Sequence, residues 1–574
     1  MKKITALFLT AALCLGLLSG CGGKITPPAV PTPSPAENVV PAMSFSLDVF
    51  LDPALPERPD GVHADVDFDD MHWEMYDMTA FNAWAEKLAS GELSAAEAEK
   101  VINWLSAEYT RLRTYSELAW IDFYSNNDPH GTVGESCRAL DEMLTQASDT
   151  LRSAVSSALE SDAGEELTEF LGEETADELA DYEDMTDREA ELWNRETELV
   201  LEYNDLISRT DLSLTALNRR AGEVFLELVR VRNELSELSG CDSYAEFAYE
   251  RIYSRDYTPA DAAALCRAIK PIAREYYADC YYSGVFSEWI RSFSAGALMD
   301  LLREYAPRVS PRAAEAQRYM EDHGLYMLES GRVITELGYT TTLPLYNAPF
   351  LYDALYGSWY DVSGVFHEFG HYYDAYINPE PEDWDSAGSY DIFEIHSTSM
   401  EALLYGWYDE IFGADADKAR IYCLDSLMDN VVSGCIYDEF LQYVYAHPDL
   451  TVRELNQAYK DVASSYGMEF SGPDDAFYWM YVSHNFESPF YYISYAVSTL
   501  ASLQVWAMAQ TDREGALALY NDLVSRGAYD TAYCELIRSV GLRLFTEDLD
   551  GCVGAAYAEL HRLCMAYDAG KLAA

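Results

Sequence analysis

From about Phe45 to the C-terminus, apolar residues recur three and four positions apart, the period of a helix that buries one face. Leu192, Leu199 and Leu206, within ELWNRETELVLEYNDLI, form one such stripe. Helix starts are marked in the same stretch of chain. Ser94 with Glu97, and Thr186 with Glu189, have the spacing at which hydroxyl and carboxylate each satisfy a free backbone N–H. Thr258 before Pro259 sets a capping hydroxyl ahead of a residue whose missing N–H costs nothing in a first turn. No fixed-period repeat, Walker sequence or dinucleotide-type glycine loop interrupts the pattern. The expectation is a mainly α fold, and 574 residues are enough to bury a large core.

One segment breaks the helical period. Residues 338–352, GYTTTLPLYNAPFLY, are rich in strand-favouring Thr, Tyr and Leu, while Pro344 and Pro349 argue against a central strand. The pattern predicts an edge strand, whose free backbone groups suit an extended peptide. Leu345, Tyr346 and Asn347 are its expected peptide-pairing residues.

The segment lies just upstream of DVSGVFHEFGHYYDAYIN, residues 361–378. Residues four apart on a helix share a face, so His367 and His371 can reach one ion. Glu368 lies beside that ion and can take a proton from its water. A catalytic tetrahedral site needs a third protein ligand and an open fourth position. DIFEIHSTSMEALLYGWYDE, residues 391–410, offers Glu394 as that ligand. Glu394, Thr398 and Glu401 share one helical face, which places Glu401 either to accept the free N–H of a ligating His or to form a surface salt bridge. His396 points elsewhere and reads as structural. Further on, SHNFESPFYYISYAVST (483–499) carries His484, Tyr491, Tyr492 and Tyr495. Neutral His and Tyr are competent donors to an oxyanion, although the same segment satisfies a Tyr-rich core helix. Residues 491–510 are apolar, but repeated Ser, Thr and Gln favour a buried helix over a membrane span.

The net charge of −60 argues against nucleic acid and anionic membrane surfaces as partners and would attract basic peptides. The acidic run 160–191 lacks the spaced Asp, Asn and Gly of a calcium loop and reads as a solvated helix face. Forty-four Tyr suit either a lined cavity or ordinary amphipathic packing.

The N-terminus carries an address. Lys2 and Lys3 precede an apolar run, Ile4 to Leu18, too short to span a bilayer comfortably. Residues 1–20 read as a signal peptide, and Leu18-Ser19-Gly20-Cys21 resembles the bacterial lipobox. That resemblance implies lipidation at Cys21, export, and a cell-surface lipoprotein held to the membrane by its lipid alone. Residues 21–44 are Pro-rich and form a stiff tether. Two regions follow: an N-terminal helical region at 45–235 and a catalytic zinc peptidase domain at 236–574. Of eleven Cys, nine remain after removal of Cys14 and lipidation of Cys21; an odd number without close-spaced pairs is not a disulfide framework.

Together these motifs resemble the thimet oligopeptidase and oligoendopeptidase F family of zinc metallopeptidases. HEFGH followed by EIHSTSMEAL is similar to that family's HExGH and later E-x-x-S-x-x-x-E helix. His484 with PFYYISYA is similar to its His plus FYxYxYA segment, and GCDSYAEFAYERIYSRDYTPADA (240–262) to the segment before its catalytic half. The resemblance spans about Ser239 to Leu500. It implies an almost wholly helical fold whose two halves enclose a deep channel, with a small sheet beside the active-site helix. It also implies one zinc ion per chain on His367, His371 and Glu394, Glu368 as general base, and short unstructured peptides as substrates. His484 and Tyr495 match the transition-state donors; the spacing here leaves Tyr492 or Tyr495 as the main one. His396 departs from the small residue usual at its place. A zinc carboxypeptidase or dipeptidyl carboxypeptidase of similar fold, or a non-catalytic peptide-binding lipoprotein, are the alternative readings. An intact HExxH with a third carboxylate disfavours the binder, which needs no base.

Overall fold

The computed structural model describes residues 56, 58–59, 61–126, 132–180, 186–281, 283–287, 290–330, 338–379, 388–529 and 531–573. The expected signal peptide, Cys21 and the Pro-rich tether lie outside them.

The fold is mainly helical with one small sheet. The N-terminal region contains helices Thr79–Ala89, Ala95–Asn126 and Val133–Leu159, then the pair Asp187–Ile207 and Leu214–Leu238. The caps read from sequence are present in full at Thr186 and Thr258 and by their carboxylate half at Ser94. Thr186 accepts from the Glu189 N–H and returns its own to the Glu189 carboxylate. Thr258 does the same with Asp261 ahead of Pro259–Asp279, and the Ser94 N–H donates to Glu97 at 2.9 Å. Leu192, Leu199 and Leu206 are buried together, while Glu165, Glu166 and Glu169 of the acidic run stand exposed.

In the C-terminal region, helix Ile493–Ala509 packs between helices Tyr390–Leu404 and Ala416–Tyr445. Being covered on several sides, it is buried along most of its length, and this explains why it carries no charged residue. No helix among the described residues is long and apolar enough to cross a membrane. Ser399 and Ser502 satisfy each other across that packing at 2.9 Å. Gly434 permits the approach of Ala416–Tyr445, since a Cβ there would sit 2.6 Å from the Tyr492 carbonyl. The nine cysteines described are all free, and seven of them are buried.

The sheet corrects the expectation for 338–352. That segment is two strands, not one. β1 (Tyr326–Ser330), β2 (Gly338–Leu343) and β3 (Ala348–Leu355) lie in the order β1-β3-β2. β3, which contains Pro349, is therefore the central strand. Pro349 is tolerated because β3 pairs with β1 only from Leu351 onward; at Pro349 it has β2 alone as a neighbour. Leu345, Tyr346 and Asn347 form the hairpin turn, with Asn347 at φ 47°, a conformation Asn accepts more readily than most residues. Their polar groups are already engaged by the chain itself. The Leu345 N–H donates to Thr114, the Leu345 carbonyl accepts from Arg58, the Tyr346 carbonyl accepts from the Ala64 N–H, and the Asn347 amide donates to the Val62 carbonyl. They are not free to pair a peptide.

Candidate active site

Two helices carry the candidate metal-ligating groups: Tyr360–Ile377 with His367 and His371, and Tyr390–Leu404 with Glu394. Their close approach depends on Gly370 in HEFGH. A Cβ on Gly370 would lie 2.6 Å from Ser397 Cα and 2.8 Å from the His396 carbonyl oxygen. With glycine there, His367 Nε2 comes 3.5 Å from Glu394 Oε2 and His371 Nε2 3.8 Å from the same oxygen. The three ligand atoms all lie within 4.8 Å of one another. Tetrahedral zinc with bonds of about 2.0–2.1 Å separates its ligand atoms by roughly 3.3 Å, and the two His–Glu distances lie near that value, so the set fits the ion.

The electrostatics fit it too. Burial lowers the affinity of His367 for a proton, but the Glu401 hydrogen bond and the charges of Glu401, Glu394 and Glu368 outweigh this and raise its pKa to about 10. Burial, then the charges of His367 and His396, holds His371 well below the usual range. Three carboxylates thus face two crowded imidazoles, an excess of negative charge that a divalent cation would balance. Glu401 accepts from His367 Nδ1 at 2.7 Å, leaving Nε2 as the ligand atom, and Ser363 in turn donates to Glu401. Glu401 is therefore tied to the site instead of standing as a surface salt bridge.

Glu368 is buried beside these groups. Thr340 on β2 donates to its carboxylate at 3.0 Å and to its backbone carbonyl at 2.9 Å. Burial raises its pKa to about 7 against the opposing effects of His367 and Thr340. A base poised there can accept a proton near neutrality and give it up again.

On the far side of the ligands, Tyr491 points its hydroxyl at Glu394 Oε1, 3.4 Å away. His484 lies 4.8 Å from Tyr491, ring to ring, and burial lowers its pKa to about 3, which keeps it neutral and able to donate. Tyr495 stands against Tyr491 at 5.3 Å and His484 at 6.3 Å. Tyr492 turns edge-on to Tyr437 at 5.0 Å. The expected donors are thus gathered in one cluster, with Tyr491 meeting a metal ligand. His396 is fully buried, with Nδ1 3.2 Å from Asp374, and is not one of the three groups that converge as candidate ligands.

Two further residues were not singled out from sequence. Asp353 lies in the centre of β3, and a Cβ on Gly338 would sit 3.4 Å from Asp353 and 3.1 Å from Glu368. Burial, with the charges of Glu368 and Asp361, pushes Asp353 well above the carboxylate range. A lone Asp in the apolar run PFLYDAL was the available signal. Arg255 is buried between the Tyr249 and Tyr253 rings, 4.4 Å from each centroid. Its guanidinium donates to the Phe490 carbonyl at 3.0 Å and to Ser494 at 2.9 Å, and its Nε lies 3.5 Å from Asp391. Phe490 has φ 68°, an unfavourable conformation for a bulky residue, immediately before Tyr491. One guanidinium therefore joins the Tyr491 segment to the first turn of the Glu394 helix. Arg255 lies within the 240–262 stretch already noted, which gave no hint of that role.

No family model matches the chain, and no curated protein matches it. Solved structures do. PZ peptidase A with an inhibitor superposes with a TM-score of 0.71 at 21% identity, over 87% of this chain and 99% of that one. A structure designated oligoendopeptidase F gives 0.70 at 23%, over 87% and 98%. Another so designated, from Bacillus anthracis, gives 0.68 at 21%, over 88% and 99%. Each of those structures is matched over nearly its whole length. The chain has the oligoendopeptidase F fold.

Proposed function

We propose that the protein is a zinc-dependent oligopeptidase of the oligoendopeptidase F family, which hydrolyses short unstructured peptides internally. The observation that carries this reading is the convergence of His367, His371 and Glu394 within 4.8 Å, with the buried carboxylate of Glu368 next in sequence to one ligand. When bound by these three side chains, zinc would supply Lewis acidity toward a carbonyl and make water more acidic.

The chain's own groups then have distinct tasks. Glu368, held by Thr340, takes the proton of the attacking water and passes it to the leaving amine. Glu401 keeps His367 in the tautomer whose Nε2 faces the ion. Tyr491, in place of the Tyr492 or Tyr495 expected from the spacing because its hydroxyl lies 3.4 Å from Glu394 Oε1, and neutral His484 donate hydrogen bonds to the carbonyl oxygen as it gains charge. β2 borders Glu368, and its outer edge would align an extended peptide. Purified protein should hold one zinc per chain, and His371→Ala should lose both metal and turnover. Full activity in metal-stripped protein would refute the reading.

We also propose that Cys21 anchors the protein at a bacterial cell surface. Cys21→Ala should move the protein to the soluble fraction; retention on membranes would refute this anchor.

A further inference from the structure

A cavity of about 350 Å³ opens beside the donor cluster, between helix Asp187–Ile207 of the N-terminal region and the segment after His484. Trp193, Tyr390 and Tyr491 contribute aromatic walls, Glu196 and Glu487 contribute carboxyl groups, and His484 of the donor cluster also lines it. No Lys or Arg lines it.

The charge around it is unbalanced. Arg232 is fully buried and is not among the lining residues, while Arg255 stacks behind the lining residue Tyr253, 4.4 Å from its ring centroid. The Arg232 Nε donates to Glu196 Oε1 at 2.7 Å, its Nη1 to the Tyr445 hydroxyl at 3.1 Å, and its Nη2 to the Phe486 carbonyl. Of the two carboxylates, Glu196 alone is bonded to this guanidinium. Glu196 Oε2 and Glu487 Oε1 have no hydrogen-bond partner and are themselves closed off from solvent, so rotation of either carboxyl would turn an unpartnered oxygen toward the cavity. Burial also raises Glu487 to about 7, against the opposing effects of Ser483, Asn204 and Arg232. Aromatic faces attract cations through their negative quadrupole, and partly desolvated carboxylates add direct attraction. Neither feature serves an anionic ligand.

Position gives the cavity its use. His484 and Tyr491 belong both to its wall and to the donor cluster, and the Tyr491 hydroxyl lies 3.4 Å from Glu394. A side chain or chain end close to the cleaved bond would enter it. We propose that this cavity is a subsite for a positively charged substrate group, a guanidinium or ammonium held against Glu196 and Glu487 within the aromatic wall. The proposal rests on the peptidase reading for its placement beside the reacting bond.

The test uses pairs of quenched fluorescent peptides with acetylated amino termini, identical except for arginine or its neutral isostere citrulline, scanned across positions flanking the cleavage site. A second pair set compares free with acetylated amino termini on otherwise neutral peptides, and so separates a side chain from a chain end as the source of charge. At one position, or at the amino terminus, the charged member should have a kcat/KM higher by about tenfold or more, as expected for a charge-assisted contact. In Glu196→Gln, Glu487→Gln and the double variant, that ratio should fall toward one. Equal rates within every wild-type pair overturn the proposal, as does a preference that survives the double substitution. Calorimetric binding of the same pairs to Glu368→Gln protein separates the two readings. Charge-selective binding without wild-type turnover rejects the peptidase and keeps the subsite; turnover without charge selectivity rejects the subsite alone.

Discussion

Gly370→Ala tests whether helix contact sets the metal site. By local preference the substitution should help, because alanine is favoured over glycine inside a helix by about 1 kcal/mol. The contact opposes it. The new methyl would lie 2.6 Å from Ser397 Cα and 2.8 Å from the His396 carbonyl oxygen. Backbone atoms cannot rotate away as a side chain would. Restoring ordinary carbon contacts of about 3.5 Å requires the two helices to part by roughly 1 Å. Overpacking of this kind costs about 1–3 kcal/mol, enough to cancel the propensity gain or exceed it. The effect on the metal is more specific. His367 and His371 are on one helix and Glu394 on the other, whereas coordination distances tolerate only about 0.2 Å. We expect zinc affinity, measured by competition with a chromophoric chelator, to fall at least about tenfold. Thermal unfolding of metal-free protein reports the packing cost separately. An alanine variant that binds zinc as tightly as the wild type would refute the claim that this close approach positions Glu394.

Glu368→Gln should retain zinc and its Tm but lose nearly all turnover, since proton transfer alone is removed; wild-type kcat would eliminate Glu368 as the base. Tyr491→Phe should lower kcat by about 100- to 1,000-fold with little change in KM, as for loss of one oxyanion donor, and an equal loss in Tyr492→Phe would contradict the assignment of that role to Tyr491. Arg255→Lys should lower kcat in wild-type background but much less in Tyr491→Phe, because Arg255 acts by holding the Phe490 carbonyl; additive losses would show that it does not act through Tyr491. Asp429 is buried, its Oδ1 lacks a partner, and burial raises its pKa from 3.8 to about 6. The unfolded chain therefore releases this proton at lower pH than the fold, and stability falls as pH rises through that window. Asp429→Asn should be more stable than wild type at pH 8, by about 2–3 kcal/mol at most, and should lose the advantage near pH 4 in urea titrations; a pH-independent difference would refute the account.

The fold class and much of the site were legible because their signals are local. His367, Glu368 and His371 occupy little more than one helical turn, and Glu394 with Glu401 spans two, so helical periodicity alone orients each set. The caps at Ser94, Thr186 and Thr258 are equally local, since each pairs a capping residue with a carboxylate three residues away. The segment 338–352 was misread for the opposite reason. Whether Pro349 can stand in a central strand depends on where β1 begins to pair, and β1 lies outside that stretch of sequence. The engagement of Leu345–Asn347 likewise depends on Arg58, Val62, Ala64 and Thr114, which are distant in the chain.

The sequence by itself determined that this chain is helical, and which few residues have the chemistry and spacing to hold a metal and move a proton. Tertiary structure decided how those residues meet. It made Gly370 the contact between the ligand helices, brought Tyr491 to Glu394, joined their segments through Arg255, and drew Glu196 and Glu487 to one cavity. The physical reason is that periodicity encodes only which face of an element is buried. The partner of that face is selected by shape and charge over the whole molecule, which no local spacing records.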